Sequence, residues 1–83
     1  MTEYLNEKEF YKTTELPLAG ALLCRKYKIE AHDNHDPKKV VFFIKRDEFL
    51  DSIIQAYWSH GLLVDPITYF FHLKELKSRI YQK

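Results

Sequence analysis

Five consecutive apolar residues, Val40-Val41-Phe42-Phe43-Ile44, lie between Lys38-Lys39 and Lys45-Arg46. The run is too short for an ordinary helix, and it lacks the alternation of a strand with one wet face. β-branched and aromatic residues in unbroken series suit a strand sheltered on both faces. A chain of 83 residues can shelter both faces by placing helices on each side or by pairing with a second copy. The run therefore predicts the centre of a small sheet at Lys39 to Lys45.

The rest of the chain supplies elements to cover that centre. Phe10-Tyr11-Lys12-Thr13 reads as a short strand. Thr14 is placed to cap a helix that carries Leu16, Ala19, Leu22 and Leu23 at helical spacing and closes on Arg25 and Lys26. Gly20 weakens this helix by roughly 1 kcal/mol relative to alanine, which a close approach of its backbone to the sheet would justify. Tyr27 to His32 alternates apolar with polar, the pattern of a half-buried strand. Asp33-Asn34-His35-Asp36-Pro37 is turn chemistry and leads straight into the apolar run, predicting an antiparallel hairpin.

Asp47 is placed to cap a second helix, with Phe49, Leu50, Ile53, Ile54, Tyr57 and Trp58 as its apolar stripe. Gly61 suits the left-handed residue that ends it, and Leu62 to Val64 a brief extended segment. Asp65-Pro66 starts a third helix, an acidic cap followed by proline at the first helical position. Tyr69, Leu73, Leu76 and Ile80 form its core side. The expected fold is α+β with a small antiparallel or mixed sheet of split β-α-β type, in the order β-α-β-β-α-(short β)-α. A crossover from first to second strand leaves room for the third between them. Residues 1–9 read as a flexible polar segment and 10–83 as a single domain.

Composition bounds the function. Hydrophobic residues make up 46% of the chain and aromatics 16%, enough for a core with rings left over for an interface or ligand. One cysteine, Cys24, excludes an internal disulfide and fits a reducing, cytoplasmic setting. No apolar stretch nears the roughly 18 residues needed to span a bilayer, and Met1 to Glu9 lacks a secretory pattern. A net charge of +1 gives no global attraction to nucleic acid. Charge is nonetheless uneven: from Pro66 onward, Lys74, Lys77, Arg79 and Lys83 face only Glu75.

Three blocks together resemble a family of short bacterial and phage proteins catalogued as a domain of unknown function. They are Tyr11-Lys12-Thr13 with Leu16, Leu18 and Ala19; Lys39-Val40-Val41-Phe42-Phe43; and Val64-Asp65-Pro66 with Tyr69, Leu73-Lys74, Leu76-Lys77 and Ile80-Tyr81. The likeness spans about Phe10 to Tyr81 and implies a single α+β domain, with a phage or mobile-element context. It implies no activity and no catalytic residues, and His32, His35 and Cys24 lie outside it.

Candidate chemistry is sparse. His32-Asp33-Asn34-His35-Asp36 puts two imidazoles and two carboxylates in one segment, but structural zinc needs four converging ligands, and a solvated hairpin turn explains the same residues. Cys24 with His60 or His72 lacks a nucleophile motif, and a cysteine beside Leu22 and Leu23 behaves as a small hydrophobe. Gly20 and Gly61 are the only glycines, so no phosphate-cradling loop exists. The expectation is a non-catalytic binding module without metal or cofactor.

Its surfaces are two. Phe70, Lys74, Lys77 and Tyr81 fall on one flank of the last helix, where rings interleaved with cations suit single-stranded nucleic acid. Lys38, Lys39, Lys45 and Arg46 would extend that surface if they lie nearby. Alternatively the partner is a protein or a second copy, with Phe71, the ring pointing furthest from the core stripe, and Trp58 at the interface.

Overall fold

A computed structural model describes residues 9–33 and 39–81, the last of these by its backbone. Residues 1–8, 34–38 and 82–83, and with them Lys38, His35 and Lys83, lie outside the described residues. Among the described residues, three strands, β1 (Phe10–Thr13), β2 (Ile29–Asp33) and β3 (Val41–Lys45), and three helices, α1 (Leu16–Cys24), α2 (Leu50–Trp58) and α3 (Pro66–Tyr81), follow in the order β1-α1-β2-β3-α2-α3. The sheet order is β1-β3-β2, with β3 antiparallel to both neighbours. This is the α+β arrangement the apolar run demands, with that run at the centre. Tyr11 pairs with Ile44 and Thr13 with Phe42 on one side; Ile29 pairs with Ile44 and Ala31 with Phe43 on the other, across an irregularity at Glu30.

Side chains alternate along β3, so Phe42 and Ile44 share one face and Phe43 the other. Leu18, Ala19 and Leu22 from α1, Leu50 from α2 and Leu76 from α3 pack with Val40, Phe42 and Ile44 in one buried cluster. All three helices thus contribute to the core on the same face, so of the two expected ways of sheltering the strand, helices on each side or pairing with a second copy, the first is not used. Phe43, on the opposite face, is nonetheless only 2% exposed, with Lys12 and Ala31 beside it in register.

Both short helices end in the same way. At α1 the N–H of Tyr27 donates to Leu22 O and that of Lys26 to Leu23 O, each at 3.0 Å. At α2 the N–H of Gly61 donates to Ala56 O at 2.8 Å and that of His60 to Tyr57 O at 3.1 Å. These paired bonds define Schellman caps. The left-handed residue is Lys26 (φ 74°) in the first and His60 (φ 67°) in the second. Gly61 therefore sits one position past the place expected of it, because α2 closes one residue earlier.

The helix starts also differ from the expected caps. Glu15, not Thr14, holds the cap position of α1, and its own N–H donates to Thr13 Oγ1 at 3.0 Å. Asp47 caps a preceding turn rather than α2 itself, its Oδ1 accepting the Phe49 N–H at 3.0 Å. Phe49 is left outside the apolar stripe and exposed. Leu62 to Val64 is irregular, since three residues between a helix cap and the next helix meet no described strand to pair with. Gly20 meets α3 instead of the sheet: a Cβ there would lie 2.9 Å from Leu73 Cδ2 and 3.3 Å from Tyr69 Cε1.

Candidate functional site

Asp65 starts α3 as its sequence position promised, Oδ2 accepting the Thr68 N–H at 2.8 Å. That bond, with further hydrogen bonding from Thr68, holds the Asp65 carboxyl below its ordinary pKa. A helix turns about 100° per residue. With Tyr69, Leu73, Leu76 and Ile80 turned inward, the outward line runs through Ile67, Phe71, Lys74 and Ser78, with Phe70 beside it. Ile67 is 80% exposed, Phe70 61% and Phe71 63%. Three large apolar side chains on consecutive turns of one surface exceed the scattered singles of ordinary surfaces.

The lysines on this flank have partial occupation of their own. Lys74 Nζ stands 5.3 Å from the Phe70 ring centroid, a cation–π contact one turn apart. Lys77 is exposed one turn further on, and the Tyr81 side chain lies outside the described residues. Lys39 and Lys45 are exposed at the two ends of the central strand. Lys45 shares the Phe43 face by alternation, whereas α3 packs on the Phe42 face, so the sheet separates it from the α3 lysines. Arg46 is half-buried, 2.7 Å from Asp51 and 5.5 Å above the Tyr11 ring. The structure brings Phe70, Lys74 and Lys77 together, while Lys45 lies across the sheet and Arg46 is engaged with Asp51 and Tyr11.

A second feature lies where α2 ends. Tyr57 and Trp58 are successive residues whose rings meet edge to face, with centroids 5.0 Å apart and planes at 83°. The left-handed His60 turns the chain back, and Leu62 and Val64 carry it to α3. Tyr69 from the first turns of α3 and Ala21 from α1 complete a groove of about 350 Å³ with these residues. Trp58, expected at an interface, is exposed and forms one wall. Tyr69 donates its hydroxyl to Pro17 O at 3.3 Å. Burial pushes the pKa of both Tyr57 and Tyr69 up, and the charges of Tyr69 and Glu15 add to the shift at Tyr57.

The remaining candidates gather no reactive centre. Cys24 is half-buried, and burial followed by the Asp65 charge pushes its thiol pKa up, opposite to the shift that activates a nucleophile. His72 Nδ1 lies 3.2 Å from Glu75 Oε1. His32 is exposed on an edge strand, and the potential ligands that follow it lie outside the described residues. Among the described residues, no group of three or more His, Cys, Asp or Glu converges, and no helix is long and apolar enough to cross a membrane.

Sequence reasoning missed Ile67 and the groove for different reasons. Angular counting, which singled out Phe71, places Ile67 on the same outward line, so that signal was present. Tyr57, Trp58 and Tyr69 each read as part of an apolar stripe, and only the packing of three helices gathers them around a shared space. Comparison with protein-family models, curated proteins and solved structures finds no match. Function is therefore read from these two surfaces.

Proposed function

We propose that the protein is a non-catalytic interaction module that self-associates through the outward face of α3. The observation that carries this reading is the exposure of Ile67, Phe70 and Phe71 on one side of that helix. A two-fold axis between Phe70 and Phe71 is self-complementary. It sets Phe70 of one copy against Phe71 of the other, and Ile67 against the aliphatic stem of Lys74. Antiparallel helices also oppose their dipoles favourably. Isologous pairing of this kind is the commonest route to a small homodimer. A cytoplasmic setting suits a chain with one half-buried thiol.

Sedimentation over a concentration series tests the reading. A reversible dimer is expected, and Ile67→Glu with Phe71→Glu should convert it to a folded monomer. A parent chain that remains monomeric at hundreds of micromolar defeats it.

Exposed Lys74 and Lys77 beside Phe70 support a second reading, contact with single-stranded nucleic acid. Phosphate contacts would make that affinity fall steeply with salt, and Lys74→Glu with Lys77→Glu would remove it. This reading has less support, because Lys74 already covers the Phe70 ring and Lys45 lies across the sheet.

A further inference from the structure

We infer that the groove walled by Tyr57, Trp58 and Tyr69 binds an alkylated ammonium cation. Tyr57 and Trp58 pack edge to face, with planes at 83° and centroids 5.0 Å apart, which fixes both rings beside the groove, and Tyr69 brings a third aromatic from another helix to the same space. Aromatic faces attract a cation through their quadrupole, most strongly where water is displaced.

Charge around the groove points the same way. Among its lining residues there is no lysine or arginine; His60 is the sole basic side chain. The Glu15 carboxylate acts on the Tyr57 hydroxyl, and Asp65 follows directly on the lining residue Val64. The local field therefore favours positive ligands over anions.

The rest of the lining selects among cations. Ala21, Leu62 and Val64 offer apolar contact, and the side-chain acceptors of the lining are His60 and the Tyr57 and Tyr69 hydroxyls. A primary ammonium needs three acceptors at once to replace its water, and each one unmet is costly. A quaternary or trimethylated ammonium spreads its charge over methyl groups and gives up no N–H bonds. The volume of about 350 Å³ is at the small end of ligand sites and suits such a headgroup. That headgroup could belong to a free small molecule or to a trimethylated lysine side chain.

Trp58 is the only tryptophan, so selectively excited tryptophan fluorescence reports on this wall alone. Choline, its neutral isostere 3,3-dimethyl-1-butanol, and a short peptide with and without trimethyl-lysine are titrated against the intact chain. Choline is expected to give a saturable change with affinity about tenfold above the isostere, the margin a partly desolvated cation–π contact supplies. Glu15→Gln, whose side chain makes no cap hydrogen bond, should weaken choline about threefold through loss of one nearby charge and leave the isostere unchanged. Trp58→Leu, followed by proton NMR, should abolish the preference while the circular dichroism melt stays near the parent's. A trimethyl-lysine peptide binding far tighter than choline identifies the source as a protein side chain; equal affinities identify a free molecule. Equal binding of choline and its isostere, or saturation by neither, overturns the inference. Self-association through α3 uses other residues, so the two proposals stand or fall separately.

Discussion

Tyr27 donates its phenolic hydroxyl to Asp47 Oδ1 at 2.6 Å, joining the turn after α1 to the turn before α2. The same oxygen accepts the Phe49 N–H, so one carboxylate fixes two turns. Burial first, then this bond, pushes the Tyr27 pKa up to about 12. The unfolded chain releases that proton near pH 10, so above that pH the native state holds more protons than the unfolded one. Stability is therefore full below about pH 10 and falls as pH rises through 10 towards 12. Asp47 works in the opposite sense. Accepting the Tyr27 hydroxyl lowers its pKa, so its contribution is present above the ordinary carboxylate pKa and lost as pH falls through the lowered value. Tyr27→Phe should lower the melting temperature at neutral pH by about 5 °C, as loss of one hydrogen bond does in a domain of this size. Its melting temperature should also lose part of the decline above pH 10, measured by circular dichroism.

The two Schellman caps predict an inversion of the usual glycine rule. Lys26 and His60 hold left-handed backbone without being glycine, a conformation that costs a side chain roughly 1–2 kcal/mol. Lys26→Gly and His60→Gly should each stabilise the chain by about 0.5–1 kcal/mol, after the added freedom of the unfolded glycine is subtracted. Gly61 has no positive φ, and a Cβ there meets Ser59 Oγ at 3.7 Å and Ala56 O at 3.8 Å, ordinary contacts. Gly61→Ala should accordingly be neutral or stabilising by about 0.5 kcal/mol. Urea denaturation distinguishes the cases: a loss of about 1 kcal/mol at Gly61 would mean that the left-handed residue is there and not at His60.

Gly20 should respond to size more than to helix propensity. Alanine gains roughly 1 kcal/mol of propensity, but its Cβ would sit 2.9 Å from Leu73 Cδ2 and 3.3 Å from Tyr69 Cε1. Leu73 can shift its terminal methyl; Tyr69 is tethered through its hydroxyl to Pro17 O. Gly20→Ala is expected to lose about 1 kcal/mol net and Gly20→Val about 3 kcal/mol, the range of overpacked sites. Equal stability for the valine variant would show that α1 and α3 are not in close contact here.

Local chemistry explains what could be read in advance. The unbroken apolar run Val40 to Ile44 marked the middle strand, and the β1-β3-β2 order followed from placing it there. Asp65-Pro66 declared its helix because an acidic acceptor and a residue without an N–H suit the first turn. The inward side of α3 was legible from spacing alone. Features set by distant partners were not legible. Gly20 faces Leu73 and Tyr69 because of how two helices cross, and the aromatic groove exists only once α1, α2 and α3 are assembled. The end of α2 turned on one residue, since the bonds from His60 and Gly61 close on Tyr57 and Ala56 and move the left-handed position off the glycine. Phe49 was misread because Asp47 caps a separate turn and leaves that ring outside the helix.

Leu76 is the fully buried residue of α3. It is buried in the cluster with Phe42 and Ile44, while its helix neighbours on the outward side are exposed. Truncation to alanine removes three carbons from that buried cluster, which can collapse only partly. Leu76→Ala should therefore cost about 3 kcal/mol, within the 2–5 kcal/mol typical of such sites. A domain of this length has modest stability, so a loss of that size should release α3 before the sheet opens. Hydrogen exchange separates the two events. In Leu76→Ala the amides of 70–80 should exchange much faster, while those of Phe42 to Ile44, paired on both sides in β3, remain the slowest in the chain. Uniform acceleration across α3 and β3 would show instead that helix and sheet unfold as one unit.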